Sequence, residues 1–145
     1  MVKYQIIDYS PEYYQDLNRF WNELGLGGSH RGDNENIISE TIKFGGHLIL
    51  MINEVSKIIG TSWLTNDKRR TYLHHFGISK EYQKQGLASK LLEYSMVLAA
   101  NDGLQIKLEV HKENESAIKL YSKYGFNYLG DYEVLINRQI GRIEL

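Results

Sequence analysis

Apolar positions along the chain change period several times, and each change marks an element. Residues 2–8 (VKYQIID) read as a first strand. Ser10 before Pro11 reads as a helix start, with the hydroxyl as cap and proline at the first helical position, where its missing N–H costs nothing. Leu17, Trp21 and Leu24 recur at spacings of four and three and share one helical face, which ends near Gly25. Residues 25–34 (GLGGSHRGDN) form a glycine-rich polar loop, after which Asn34 is placed to cap a second helix reaching about Phe44. Residues 47–52 and 57–64 are β-rich runs joined by NEVS, the pattern of an antiparallel hairpin. A polar turn at 65–70 leads into a third run at 71–79, giving a meander.

The period then switches. Leu87, Leu91, Leu92, Tyr94, Ser95, Leu98 and Ala99 predict a helix that stops at Asn101-Asp102-Gly103. Residues 104–110 return to a strand. Asn114 is placed to cap a helix carrying Ala117, Leu120, Tyr121 and Tyr124 on one side, with Gly125 as its end. Residues 126–136 and 138–144 read as two final strands with Asn137 near the reversal. The order βααβββαβαββ predicts one α/β (α+β) domain over residues 1–145, with a mixed, mostly antiparallel sheet flanked by helices.

Composition narrows the chemistry. Lys plus Arg number 17 and Asp plus Glu 18, a formal charge of −1, so no global basic field draws the chain to nucleic acid or an anionic membrane. Cysteine is absent, which removes disulfides, Cys-ligated zinc and a thiol nucleophile. No apolar stretch approaches the roughly 20 residues that span a bilayer, and MVKYQIIDYS lacks the apolar core of a signal peptide. The expectation is a cytoplasmic protein without a metal. The basic run Lys68-Arg69-Arg70 lies on a predicted turn and reads as solvated.

The segment with chemical content is Gln83-Lys84-Gln85-Gly86-Leu87-Ala88-Ser89, where a strand passes into a helix through a glycine turn. The first amides of a helix have no intrahelical partner and face the positive end of its dipole, so this turn can hold an anion without net positive charge. Gly86 permits close approach, Ala88 leaves room, Ser89 adds a hydroxyl and Lys84 a cation. The same glycine also serves a plain tight connection. Neither the P-loop pattern nor the three-glycine dinucleotide fingerprint is present.

Gln83-x-x-Gly86-x-Ala88, after the strand LHHFGIS and before an apolar helix, resembles the acetyl-CoA motif of the GCN5-related N-acetyltransferase (GNAT) family. The block EVHKENESAIKLYSKYGF, residues 109–126, resembles the later strand–helix signature of that family through Asn114, Ala117, Leu120-Tyr121 and Gly125-Phe126. The resemblance implies a splayed pair of parallel strands. The backbone of Phe76, Gly77 and Ile78 would hold the pantetheine arm, and residues 83–89 the pyrophosphate. An N–H near Ile78 would stabilise the oxyanion, and Tyr121 would protonate the leaving thiolate. Asn114 is shared between capping and the pantetheine arm.

The base is less defined. Strand alternation sends His74 and His75 to opposite faces, with residues 72, 74, 76 and 78 on one of them. The resemblance favours His74, with Glu109 on the next strand as substitute. His30, Arg31 and Asp33, in a loop that often borders the acceptor pocket in this family, read as solvated residues.

The resulting expectation is acetyl transfer from acetyl-CoA to a primary amine of a small molecule or peptide, by direct attack in a ternary complex. A non-catalytic acyl-CoA-binding or sensing domain, and a structural module with neither property, are the alternatives. Dimers are common in the family, and the final β segment could pair across subunits.

Overall fold

The meander predicted for the first half forms a five-stranded sheet in the order β1-β2-β3-β4-β5. Strands β1 (Tyr4–Asp8), β2 (His47–Asn53), β3 (Ile58–Asn66) and β4 (Arg70–Ile78) are successively antiparallel, and β5 (Gln105–Leu108) joins β4 in parallel. The computed structural model describes residues 1–144 and divides into two compact units, Met1–Glu109 and the stretch from Val110 onward.

In the first unit, β2 is apolar at nearly every position because both sheet faces are covered. Leu48, Leu50 and Ile52 pack against α1 (Tyr14–Leu24) and α2 (Glu35–Lys43), through Leu17, Phe20, Trp21 and Ile38. Ile49 and Met51 face the other way, toward Leu87 and Leu91 of α3 (Leu87–Asp102). Trp21 and Trp63 stack with centroids 5.4 Å apart. Their indole N–H groups donate to Thr61 Oγ1 (3.2 Å) and Thr41 Oγ1 (3.1 Å), so the buried rings leave no donor unpaired. Across the sheet, Ser62 and Ser95 share a buried hydrogen bond of 2.8 Å that fixes α3 on β3.

Several local expectations change. Ser10 does not cap: its hydroxyl donates to Glu12 at the surface, and Pro11–Tyr13 form a 3-10 turn ahead of α1. Asn34 does cap α2, accepting from the Ile37 N–H at 3.0 Å, and Gly25 and Gly103 end their helices in the left-handed region. Tyr94, counted on the apolar face of α3, is exposed. The strand expected at 104–110 is only Gln105–Leu108.

The second unit holds α4 (Glu115–Lys123), capped by Asn114, whose Oδ1 accepts from Ala117 N–H at 3.3 Å. Tyr121 is buried and meets Phe126 edge-on at 5.7 Å. The two strands expected at 126–136 and 138–144 do not form among the described residues. The alternation is real, but a strand exists only through a ladder partner, and here Tyr128 and Leu135 stand 92% and 90% exposed.

Candidate active site

The two edges of β4 are unlike. Its β3 side is paired along the strand, but its β5 ladder runs only from Arg70↔Gln105 to Leu73↔Leu108. Beyond Leu73, no residue of β5 is registered opposite His74–Ile78, because β5 ends at Leu108. Directly after β4 comes a short turn and then α3.

The β3 side carries a bulge. Thr61 faces Gly77 and Trp63 faces His74, so His75 and Phe76 together oppose the single residue Ser62. His75 takes φ 46, a left-handed conformation that costs a non-glycine residue about 1–3 kcal/mol. Its carbonyl is held by the Thr61 hydroxyl at 2.7 Å. The extra residue resets the alternation. Tyr72 and His74 lie on the α1–α2 face with Trp63, whereas Phe76 and Ile78 lie on the α3 face, so 72, 74, 76 and 78 do not share one side. His75 stays on the face of His74, with ring centroids 6.5 Å apart. The expectation that only one histidine can point this way is therefore overturned by the bulge.

His75 stands edge-on to Trp21 (4.6 Å) and Trp63 (5.2 Å), and its Nε2 meets Asp33 Oδ2 at 2.8 Å. Both side chains are mostly buried, 17% and 16% exposed. The same Asp33 oxygen accepts from the Gly28 N–H at 2.9 Å. Asp33 is thus no solvated loop residue, while His30 and Arg31 are exposed. The loop is also tied to α1, by Tyr14 donating to the Asp33 carbonyl (3.2 Å) and Ser29 N–H donating to Asn18 Oδ1 (2.8 Å). Glycine is required at Gly27, where a Cβ would lie 2.3 Å from His75 Nε2. Gly77 has a packing reason as well: a Cβ there would meet Leu26 Cδ1 at 3.1 Å.

His74 has a different setting. Its Nε2 meets Thr65 Oγ1 at 2.8 Å, and its residue surface is open to solvent. Its pKa is nevertheless lowered, first because the packed protein around the ring removes water and second because His75 would add a like charge. Glu109, just past β5, and Asp33 pull in the opposite direction.

The turn into α3 leaves its amides bare. Lys84 (φ 61) and Gly86 (φ 80) both take left-handed conformations, and nothing lies within 4 Å of a Cβ built on Gly86. Asn34 and Asn114 cap α2 and α4, but no side chain caps α3. Asp16, Glu35 and Glu115 occupy the first turns of the other three helices, yet the first turn of α3 has no acid. Among the described residues, no protein group accepts from the amides of Leu87, Ala88 or Ser89. An acid or cap would compete with an anion here, and both are missing. The Gln83 side chain is not part of the cradle's open surface; it donates to the Ile78 carbonyl at 2.9 Å and ties the turn to the end of β4. Gln85 reaches back to the Glu81 carbonyl at 3.4 Å.

This strand–turn–helix arrangement lies inside a longer match: the family model described as Acetyltransferase (GNAT) family covers residues 9–126. The chain belongs to that family. Among curated relatives, N-alpha-acetyltransferase 30 of Schizosaccharomyces pombe is 41% identical over 58 residues, 39% of each chain. N-alpha-acetyltransferase 50 of Danio rerio is 31% identical over 67 residues, 45% of this chain and 40% of that one. A probable spermine N(1)-acetyltransferase of Bacillus subtilis subsp. natto is 33% identical over 70 residues, 47% of this chain and 46% of that one. The matched stretches thus span less than half of these relatives. A GNAT-family acetyltransferase structure from Staphylococcus aureus has a TM-score of 0.77 at 24% identity, covering 86% of this chain and 84% of that one. The fold is therefore that of GNAT structures, including the parallel β4–β5 pair.

Within the first unit, the GNAT fold brings Phe76, Gly77, Ile78 and residues 83–89 into consecutive chain, and sets His74 and Glu109 within electrostatic reach. Asn114 and Tyr121 belong to the second unit. The Tyr121 phenol is pushed up to about 12 by burial. The expected site residues omit the Asp33–His75 pair, because no local spacing announces a bulge.

Proposed function

We propose that this GNAT chain is an acetyl-CoA-dependent N-acetyltransferase that modifies a primary amine of a small molecule or peptide. The observation that carries this reading is the bare, acid-free start of α3 immediately after a β4 edge that β5 does not cover. The amides of residues 86–89, with Lys84 beside them, are the groups for the pyrophosphate. The backbone of Phe76, Gly77 and Ile78 is assigned to the pantetheine arm, with the N–H near Ile78 for the oxyanion. The curated relatives named for N-alpha and spermine acetylation support an amine acceptor as a class.

The reaction is a direct displacement. An uncharged amine attacks the thioester carbonyl, the C–S bond breaks, and the sulfur leaves with its electron pair. Tyr121 is our proton donor to that thiolate. A phenol raised to about 12 is fully protonated at neutral pH and has a proton to give. Asn114 spends its Oδ1 on the helix cap, which leaves its amide N–H groups for the pantetheine arm. His74, or Glu109 in its place, is the base that the sequence motifs suggest.

Calorimetric titration with acetyl-CoA tests the donor, and thiol release across free-amine peptides and spermine tests the transfer. A stoichiometric, saturable interaction and turnover of an amine are the expected results. Folded protein that takes up no acetyl-CoA would sink the reading. Uptake without turnover of any amine would leave an acyl-CoA sensor instead of an enzyme.

A further inference from the structure

We propose that Asp33 and His75 form the proton-accepting pair for the incoming amine, with His75 Nδ1 as the atom that takes the proton. The inference rests on the acetyltransferase reading above and replaces His74 and Glu109 as the base.

The tautomer follows from the partner. A carboxylate has no proton to give, and Asp33 Oδ2 already accepts from the Gly28 amide, so the 2.8 Å contact to His75 must be Nε2–H donating to Oδ2. The lone pair of neutral His75 is therefore on Nδ1. Among the described residues, that atom has no hydrogen-bond partner. The buried side-chain polar atom lacking a partner among the described residues is Thr71 Oγ1, so Nδ1 is not sealed from water. A carboxylate that orients an imidazole and stabilises its charged form, with the opposite nitrogen open, is the arrangement of a general base.

His74 is less well equipped. Its Nε2 meets a hydroxyl, which is neutral and sets neither tautomer, and the residue as a whole is more exposed than His75. The groups that face the His75 ring are few. Asp33 meets it from the loop and His74 adjoins it on β4; α1 and β3 present Trp21 and Trp63, and Tyr14 reaches the Asp33 carbonyl. Glu109 acts on His74. The strained bulge has a purpose in this account. Ordinary alternation would turn His75 to the α3 face, away from Asp33, and the φ of 46 keeps it on the loop side.

In the step, the acceptor R–NH3+ passes one proton to Nδ1, giving R–NH2 and an imidazolium whose Nε2–H remains on Asp33. The amine nitrogen then attacks the acetyl-CoA carbonyl. As the C–S bond breaks, the nitrogen sheds its second proton, which replaces the one Tyr121 gives to the sulfur, and the imidazolium returns the first proton to water. An alkylammonium has a pKa near 10.4, so near neutrality this transfer limits the supply of nucleophile.

The test pairs His75→Asn with His74→Asn, asparagine being a residue that tolerates the left-handed backbone. Acetyl-CoA affinity, measured by calorimetry, is expected to hold in both. With spermine or a free-amine peptide, the acidic limb of the kcat/KM profile in His75→Asn should move up to the pH at which the ammonium deprotonates unaided, with a fall of about 10²–10⁴ at neutral pH. His74→Asn should keep the limb. Added imidazole should restore His75→Gly, which removes the ring that stands edge-on to Trp21 and Trp63. The limb staying at its wild-type pH in His75→Asn, or moving in His74→Asn alone, overturns the proposal. Turnover is not the sole readout. Nitrogen-15 spectra of the wild-type imidazoles at roughly pH 8, above the ordinary histidine range, should show His75 protonated on Nε2 and that preference lost in Asp33→Asn; an Nδ1–H form overturns the pair's role. Wild-type protein that binds no acetyl-CoA would instead remove the underlying reading.

Discussion

The turn into α3 and the bulge in β4 are a few residues apart and are built on opposite principles. The turn offers backbone: its ligand groups are amides, and its side chains matter by being small or absent. The bulge offers side chains: one extra residue turns an imidazole toward a carboxylate 42 positions earlier in the chain. Backbone sites depend on local conformation and survive many side-chain changes. Side-chain sites depend on register, and a one-residue slip removes them. In the proposed site, the donor half thus rests on local backbone conformation and the acceptor half on the register of β3 and β4.

Four substitutions would break or sharpen that contrast. The largest effect is expected from Tyr121→Phe, which removes the proposed acid: turnover should fall by about 10²–10⁴ with little change in acetyl-CoA affinity, measured by thiol release and calorimetry. Equal turnover would take Tyr121 out of the step. Gly86→Val forces a branched side chain into φ 80, a conformation costing roughly 1–2 kcal/mol. Acetyl-CoA affinity should drop about tenfold while the fold, followed by circular dichroism, persists.

Gly27→Ala is the counterpart on the acceptor side. Its Cβ would fall 2.3 Å from His75 Nε2 and 2.5 Å from Asp33 Oδ2, so the pair must part. Stability should fall by about 1–3 kcal/mol in denaturant, and amine turnover should drop while acetyl-CoA affinity is kept. Loss of acetyl-CoA affinity instead would show that the two halves are not separable. The smallest effect belongs to His74→Asn. The folded-state pKa of His74 lies below the ordinary 6.5, so the unfolded chain binds this proton first as pH falls and stability is lost on the acid side. Removing the imidazole should flatten that acid-side decline in melting temperature. An unchanged slope would mean that the burial around His74 relaxes on protonation.

Legibility in the sequence followed the same division. Gly86, the caps Asn34 and Asn114 and the helix ends at Gly25 and Gly103 were readable because a residue type answers a local dihedral or an orphan amide. Ser10 misled because its hydroxyl had a nearer partner in Glu12. Alternation sends the two histidines to opposite faces only while the strands stay in register, and the bulge that brings them to one face is a property of β3 and β4 together. The terminal strands were overread for a related reason: alternation in 126–144 states what a strand needs, and a ladder partner must supply it.

The bare first turn of α3 also makes the chain's heat resistance depend on its solution. Three amides at the start of α3 have no protein acceptor among the described residues and are left to water, so under the proposed function an anion that meets them binds the folded form alone. A ligand at 100 times its Kd adds about 2.7 kcal/mol to folding. Melting temperature is therefore expected to respond to the anions in the buffer, with phosphate or sulfate blunting the shift expected from acetyl-CoA. A screen for donors belongs in a buffer without either ion.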